Sequence, residues 1–260
     1  AESESRVKSL TDKLEMNSAI NLVEIIDSTE DGLSRQIHDL TRWTKSNHLE
    51  LYYTEDLAEI SEWWGVRKEG VGILGRMPGS KRPIPFIEDT IVPVDMLSFY
   101  IKELRAIFDS HSLSYGFYGH ADVGCVHVRP ALDLTATDDY NLMLDLSDRV
   151  FHLAKRLGGV MWGEHGRGHR SEYTKDMFGD LLYDVLSDIK TCCDPHNKMN
   201  PGAIVLAKDA VQDIKSIRGM YRGFRNKVIP EQIRSSDDNV FHCNGNAACL
   251  NMDYDSVMCP

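Results

Sequence analysis

The sequence contains no uninterrupted apolar run of about 18 residues, the length that a membrane-spanning helix requires. Its first twenty residues carry four acidic side chains, which is not the pattern of a secretory signal. Both absences favour a cytoplasmic protein. Basic residues are also in the minority, 29 against 40 acidic ones, and the resulting charge of −11 disfavours a nucleic-acid partner.

Nucleotide-binding motifs are missing as well. No Gly-x-Gly-x-x-Gly follows a predicted strand and there is no P-loop, so the chain displays no cradle for a nucleotide phosphate. What remains is ordinary globular composition, 42% hydrophobic and 27% charged. Both chain ends look arbitrary, which suggests a fragment of a larger protein.

Cysteine is scarce, six residues in 260, which is too few for a disulfide scaffold. Five of the six follow residue 190, and the last three are Cys243, Cys249 and Cys259, with a proline after Cys259. Thiolates near glycines that end in Cys-Pro are typical of iron–sulfur ligation, although such a cluster normally has four. A zinc knuckle or three unrelated reduced thiols are the alternatives. Cys125, Cys192 and Cys193 are interpreted as packing residues.

Strands and helices alternate along residues 19–205, which predicts one α+β domain. The strands at 112–118 and 124–128 are separated only by a turn, so we expect them to pair antiparallel. Further strands are predicted at 19–26, 48–54 and 160–162, and strongly periodic helices at 138–157 and 178–192. Residues 1–18 form a lead-in segment, and 206–240 have the mixed composition of a linker.

A stretch from Gly65 to Pro85 is crowded with glycine and proline. We predict a long loop there, and long loops in compact domains are usually functional or mobile. The stretch also holds a local excess of positive charge in an acidic chain: Arg67, Lys68, Arg76, Lys81 and Arg82.

The first segment with chemical character reads GHADVGCVHVRP and begins at Gly119. His120 ends one predicted strand, and Gly124 allows the turn into the next. The two-residue period of a strand then places Cys125, His127 and Arg129 on one face. The turn is expected to bring His120 beside His127.

The second segment places Glu164 and His165 between glycines, directly after a predicted strand. Two histidines and one carboxylate suit a Zn²⁺-type ion with positions left open for substrate, so His120, His127 and Glu164 are the predicted ligands. His165 does not point the same way as its neighbour Glu164, and we expect it to act as an acid or base toward a bound substrate.

Other interpretations of these histidines remain open. Any one of them alone is more commonly a structural or surface residue. The same set also suits a non-catalytic metal-binding or docking module, or a metallohydrolase that needs no flavin.

Taken together, GHADVGCVHVRP, GEHGRGHRSEY and the helix end DPHNKMNPGAI resemble the C-terminal substrate domain of FAD-linked oxidases. These are the D-2-hydroxyacid dehydrogenases of the vanillyl-alcohol oxidase superfamily, of D-lactate and D-2-hydroxyglutarate dehydrogenase type. The resemblance covers about residues 20–205. It implies an antiparallel, ferredoxin-like sheet covered by helices, capping a flavin that is bound mainly by another domain.

The resemblance also implies roles for individual residues. His120, His127 and Glu164 match the divalent-metal ligands, and His165 matches the residue at the substrate hydroxyl. Arg67 matches the arginine that grips the substrate carboxylate, and Asn200 matches a residue near the flavin.

Two departures from the family pattern concern substrate binding. The family lysine after the arginine has no unique counterpart here, so either Lys81 or Arg82 is expected to serve. Arg129 stands where the hydroxyglutarate enzymes often have asparagine, and a guanidinium there suits a second substrate carboxylate.

The resemblance finally implies partners. Residues 241–260 match the start of the iron–sulfur domain that is fused behind the flavin domain in large bacterial members. The expected partners are a small 2-hydroxyacid and the protein's own flavin and iron–sulfur domains, in a possible homo-oligomer that is cytoplasmic or peripheral at the inner membrane. We expect these 260 residues alone to be catalytically silent.

Overall fold

The computed structural model describes residues 19–73, 80–220 and 232. The chain divides into two compact units, Ala1–Gly72 and Ile73–Pro260. The lead-in segment 1–18 and the cysteines Cys243, Cys249 and Cys259 lie outside the described residues.

The first unit is helical in its described part. Helix α1 spans Glu30–Ser46 and is capped by Thr29, whose hydroxyl accepts the backbone N–H of Gly32 at 3.0 Å. Helix α2 spans Leu57–Ile73. The loop predicted from Gly65 is therefore wrong at its start, because the helix continues through Gly70 and Gly72. Helical glycine costs only about 1 kcal/mol relative to alanine, which the neighbouring helix formers offset.

Two strands predicted in this unit are also wrong. Residues 19–26 and 48–54 are irregular, and Val23 and Ile26 are exposed. Runs of branched apolar residues favour an extended backbone, but a strand also requires a neighbouring strand, and no described strand pairs with either segment.

The second unit contains a small antiparallel sheet. Its four strands are β1 (Arg82–Pro83), β2 (Thr90–Ile91), β3 (Tyr115–His120) and β4 (Cys125–Leu132). Strand β4 is central, since β1, β2 and β3 all pair with it antiparallel. The predicted α+β class and the predicted antiparallel hairpin are both confirmed.

Three helices accompany the sheet: α3 (Leu97–Asp109), α4 (Thr137–Arg156) and α5 (Thr174–Cys193). Helices α3 and α4 bury their apolar faces with the strands in one core, which includes Tyr100, Leu104, Val128, Leu146 and Val150. The helix predicted at 178–192 is present as part of α5, and its periodic apolar side chains, such as Leu182 and Val185, are exposed. The period of the apolar residues predicts that a segment is helical, but not whether its apolar face packs against another part of the protein.

Residues 206–220 pack against this unit. Ile217 is 1% exposed within the core, and its backbone N–H donates to the Glu172 carboxylate at 3.1 Å. The linker that we predict from residue 206 therefore begins with an ordered segment.

The topology brings three distant segments to one place. Strand β2 pairs with Cys125 and Val126 of β4, and Ile91 forms a bridge with Val160. Residues 88–91, 120–129 and 160–170 therefore meet at one edge of the sheet. No helix among the described residues is long and apolar enough to cross a membrane.

Candidate metal centre

Asp89 anchors the loop that carries Glu164 and His165. It is fully buried directly before β2, and its Oδ1 and Oδ2 accept the backbone N–H groups of Glu164 and His165, each at 2.9 Å. Its carbonyl accepts the N–H of Gly163 at 2.8 Å. A Cβ at Gly163 would lie 2.5 Å from Cδ1 of Ile91, so a larger residue there requires the Ile91 side chain to shift.

Arg170 holds the same loop from the opposite side. Its guanidinium donates to the carbonyls of Glu88, Met161 (3.0 Å) and Gly166 (3.2 Å). Burial lowers the pKa of Arg170, and its three backbone acceptors replace the water it has lost. The loop is therefore fixed by a buried carboxylate and a buried guanidinium.

Three imidazoles converge on one carboxylate oxygen. Glu164 Oε1 lies 2.8 Å from Nε2 of His127, 3.3 Å from Nε2 of His120 and 3.5 Å from Nε2 of His165. The hairpin brings His120 beside His127, with ring centroids 5.6 Å apart, as its spacing predicts. The ring of His165 stacks on His127 at 4.7 Å.

His127 is held in the form that binds metals. Burial lowers its pKa, and the nearby His165 lowers it further, so the neutral imidazole with a free lone pair is favoured. Its Nδ1 is buried without a hydrogen-bond partner. Nε2, the nitrogen of His127 that faces Glu164, is therefore the one placed to bind a metal ion.

The donor set fits a divalent cation. One ligand atom from each of Asp89, His127, Glu164 and His165 lies within 4.8 Å of the others. Imidazole and carboxylate ligands in this proportion suit zinc and similar borderline ions. Of the predicted ligands, His127 and Glu164 belong to this group, and His120 reaches it through the oxygen of Glu164. His165 is also in the group, although it is not among the ligands predicted from the sequence.

Sequence reasoning missed Asp89, Glu88 and Arg170. Asp89 and Glu88 lie about 75 residues before the loop in the sequence, and Arg170 lies just after its end. The one available signal was the Glu-Asp pair directly before a predicted strand, but nothing in the sequence indicates which loop it faces.

Glu88 forms a second cluster beside the first. Its Oε2 lies 2.5 Å from Nε of Arg129 and 3.5 Å from the hydroxyl of Tyr118, and its Oε1 lies 3.3 Å from Nδ1 of His165. Burial raises the pKa of Tyr118 to about 12, so the phenol remains protonated. Arg129 is thus adjacent to the metal cluster, with its Nε engaged by Glu88.

Cys125 is a small buried residue, as predicted. Its sulfur lies 3.8 Å from Oδ1 of Asp89 and 3.9 Å from Nε2 of His127. Burial raises the pKa of the thiol to about 12, with Asp89 adding to the effect, so the thiolate that a metal would require is disfavoured.

The other predicted substrate and flavin contacts each have partners of their own. Lys81 pairs with Asp139 at 3.3 Å, and Arg82 donates to the carbonyl of Lys81. The side-chain oxygen of Asn200 accepts from Lys215. Arg67 lies on α2 in the first unit, with its guanidinium 5.9 Å from the ring centroid of Trp64.

With this fold and site in place, comparison with known sequences identifies the class. The model of the family described as FAD linked oxidases, C-terminal domain, matches residues 3–204. The chain belongs to this family, which confirms the resemblance found in its histidine motifs.

Individual relatives make the comparison narrower. The chain is 40% identical to the D-2-hydroxyglutarate dehydrogenase of Haemophilus influenzae over 248 residues, which cover 93% of this chain and 24% of that protein. It is 38% identical to the enzyme of the same name from Escherichia coli, with the same coverage. Identity to the mitochondrial D-lactate dehydrogenase of Arabidopsis thaliana is 27% over 62% of the chain and 28% of that protein. The chain therefore spans about a quarter of the length of these relatives.

Proposed function

We propose that this chain is the substrate-binding part of a flavoenzyme that oxidises a D-2-hydroxyacid to the 2-oxoacid. The observation that carries the proposal is the convergence of three imidazole nitrogens on one oxygen of Glu164. One oxygen does not satisfy three such groups well, whereas a cation among them does. The names of the similar proteins, all dehydrogenases of 2-hydroxyacids, support this choice.

His120, His127 and Glu164 would hold the metal. A divalent cation in this place supplies Lewis acidity, which lowers the pKa of a bound hydroxyl. Asp89 supports the ligands through the loop backbone. Because its two oxygens already accept two N–H groups, we assign it an anchoring role.

His165 would accept the substrate hydroxyl proton. Its side chain is 45% exposed and that of His120 is 39% exposed, while that of His127 is 3% exposed, so a substrate can reach His165 and His120 but not His127. Its Nε2 faces the cluster and is the proposed acceptor. The α-hydrogen would leave as hydride to FAD, a cofactor bound mainly by another domain.

Basic residues would orient the acid. Arg67, Lys81 and Arg82 remain proposed substrate contacts, and Asn200 a proposed flavin contact. The sequence predicts Arg129 for the same role, but its Nε is engaged by Glu88. The iron–sulfur role of Cys243, Cys249 and Cys259 is likewise a proposal, as is the division into a domain at 19–205, a linker at 206–240 and the start of an iron–sulfur domain at 241–260.

The test is anaerobic reduction of the bound flavin in the full-length protein. We expect bleaching of the flavin absorbance by D-2-hydroxyglutarate or D-lactate, and none by the L enantiomers. A full-length protein that holds metal and flavin but is reduced by none of these acids would contradict the proposal. Hydrolase activity without flavin, or metal binding without any turnover, would support the metallohydrolase or the docking module instead.

A further inference from the structure

We propose that Glu88 is the positioning residue of His165, and that Arg129 serves Glu88 rather than the substrate. The inference rests on the proposed function, in which His165 accepts the hydroxyl proton. It concerns a carboxylate that the sequence analysis did not single out.

The backbone around Glu88 leaves its side chain little freedom. Its carbonyl accepts from the buried Arg170, and the next residue, Asp89, is fully buried. The Glu88 side chain itself is only 10% exposed. A carboxylate held in this way presents its two oxygens in fixed directions.

The two oxygens of Glu88 have separate partners. Oε2 faces Nε of Arg129 at 2.5 Å and the Tyr118 hydroxyl at 3.5 Å. Oε1 faces only Nδ1 of His165 among these groups, at 3.3 Å. Glu88 thus contacts Arg129 with one oxygen and His165 with the other.

This arrangement orients the ring of His165. Because its Nδ1 lies at Oε1 of Glu88, its Nε2 lies on the side of Glu164, 3.5 Å from the Oε1 of that residue. Glu88 thus directs Nε2 of His165, the proposed proton acceptor, toward the centre where the substrate hydroxyl would bind.

Arg129 makes the buried Glu88 charge tolerable. Its side chain is 14% exposed, its Nε is engaged by Oε2, and its guanidinium carbon lies 5.9 Å from the ring centroid of Tyr118. A buried carboxylate without a cation would be costly or would take up a proton. Without Arg129, Oε2 of Glu88 would lose its 2.5 Å partner, and Oε1 would no longer be held toward His165.

The experiment compares Glu88→Gln and Arg129→Gln in the full-length holoprotein. Stopped-flow flavin reduction separates the limiting reduction rate from the apparent dissociation constant of the substrate. We expect Glu88→Gln to lower the limiting rate by about 10- to 100-fold, the usual effect of losing an outer partner of an active-site histidine. The dissociation constant and the metal and flavin contents should stay close to wild type.

The solvent deuterium isotope effect gives a readout that a purely structural role would not move. We expect it to increase in Glu88→Gln, because proton transfer to His165 becomes the slower event. The matched control is Asp145→Asn, which removes a carboxylate from an exposed ion pair with Arg149 on α4 and should leave every parameter unchanged.

The Arg129 variants distinguish between two roles of this residue, holding Glu88 and binding the substrate. If it serves Glu88, Arg129→Gln lowers the limiting rate, and Arg129→Lys restores part of it. If Arg129 grips the substrate, Arg129→Gln instead weakens substrate binding at an unchanged limiting rate, and the proposal is wrong. Arg129→Gln also carries the test if Glu88→Gln does not yield folded holoprotein.

The outcomes separate this inference from the proposed function. A wild-type protein whose flavin no 2-hydroxyacid reduces contradicts the proposed function. A wild-type protein that is reduced normally, with Glu88→Gln equally fast or with its metal lost, contradicts only the role of Glu88.

Discussion

At the scale of single residues, a few side chains make up the site: the proposed metal ligands, the residues that anchor the loop, and the proposed base. Glu164 and His165 are neighbours in sequence, but their backbone N–H groups bind different oxygens of Asp89. Their side chains meet at 3.5 Å, and each also has a partner of its own, His120 for Glu164 and Glu88 for His165. The sequence predicts His120 and His127 because a turn and a two-residue period relate them, and Glu164 because it follows a predicted strand between glycines. Asp89 and Glu88 escape prediction because only long-range pairing brings them near.

The sharpest residue-scale expectation concerns His165. We expect His165→Ala in the full-length protein to lower turnover by about 10²- to 10⁴-fold, the range that general base catalysis contributes. Metal binding should persist, because His120, His127 and Glu164 remain. Turnover and metal content measured on the same preparation check this, and normal turnover would exclude the role of His165 as the base.

At the scale of elements, the hairpin β3–β4 positions the site. Gly124 at its turn has φ +72°, and a Cβ there would lie 2.0 Å from the carbonyl oxygen of Val92. The close approach lets the N–H of Val92 donate to the carbonyl of Gly124 at 3.1 Å. Strand β2 and the hairpin are thereby held in register.

We expect Gly124→Ala to destabilise the protein and to weaken metal binding, because the hairpin has to move away from β2. The left-handed backbone alone costs about 1–3 kcal/mol for a residue with a side chain. Gly158→Ala is the matched control, since Gly158 has φ +76° but its Cβ would meet only a Pro93 carbon at 3.9 Å. Thermal unfolding and metal content should both fall further for Gly124→Ala; equal losses would mean that the close approach is unimportant.

Element prediction succeeded where local pattern and tertiary packing agree. The β3–β4 hairpin and helix α4 combine a clear period with burial of the apolar side. It failed at residues 19–26, where an apolar run has no strand to pair with, and at 65–73, where glycines lie inside α2. A local pattern carries no information about which partner a segment finds.

At the scale of the whole molecule, the family match and the side chains of the site describe two parts of the same chemistry, one linked to FAD and one suited to a cation. The matched family is linked to FAD, and the described residues include a group, Asp89, His127, Glu164 and His165, that could hold a metal ion. Although the chain carries a net charge of −11, the candidate site sets Arg129 and Arg170 beside its carboxylates.

Removing the metal tests whether the metal and the flavin have separate sites and separate roles. We expect a chelator to abolish turnover of the full-length protein while the flavin stays bound, because the two cofactors have separate sites. Re-addition of Zn²⁺ or Mn²⁺ should restore turnover, with flavin absorbance and metal content followed together. Undiminished turnover in metal-free protein would show that the cluster is not catalytic.

The pairing of Asp89 with the loop at Glu164 has a consequence for how the site comes into being. The hydrogen bonds from Glu164 and His165 to Asp89 close loops of 75 and 76 residues. Contacts across such separations form late, because chain entropy is lost before they are made. A chain emerging from the ribosome has its hairpin histidines well before it has the carboxylate between them. We therefore expect the proposed metal site to be complete only after the backbone of Glu164 and His165 has bound Asp89.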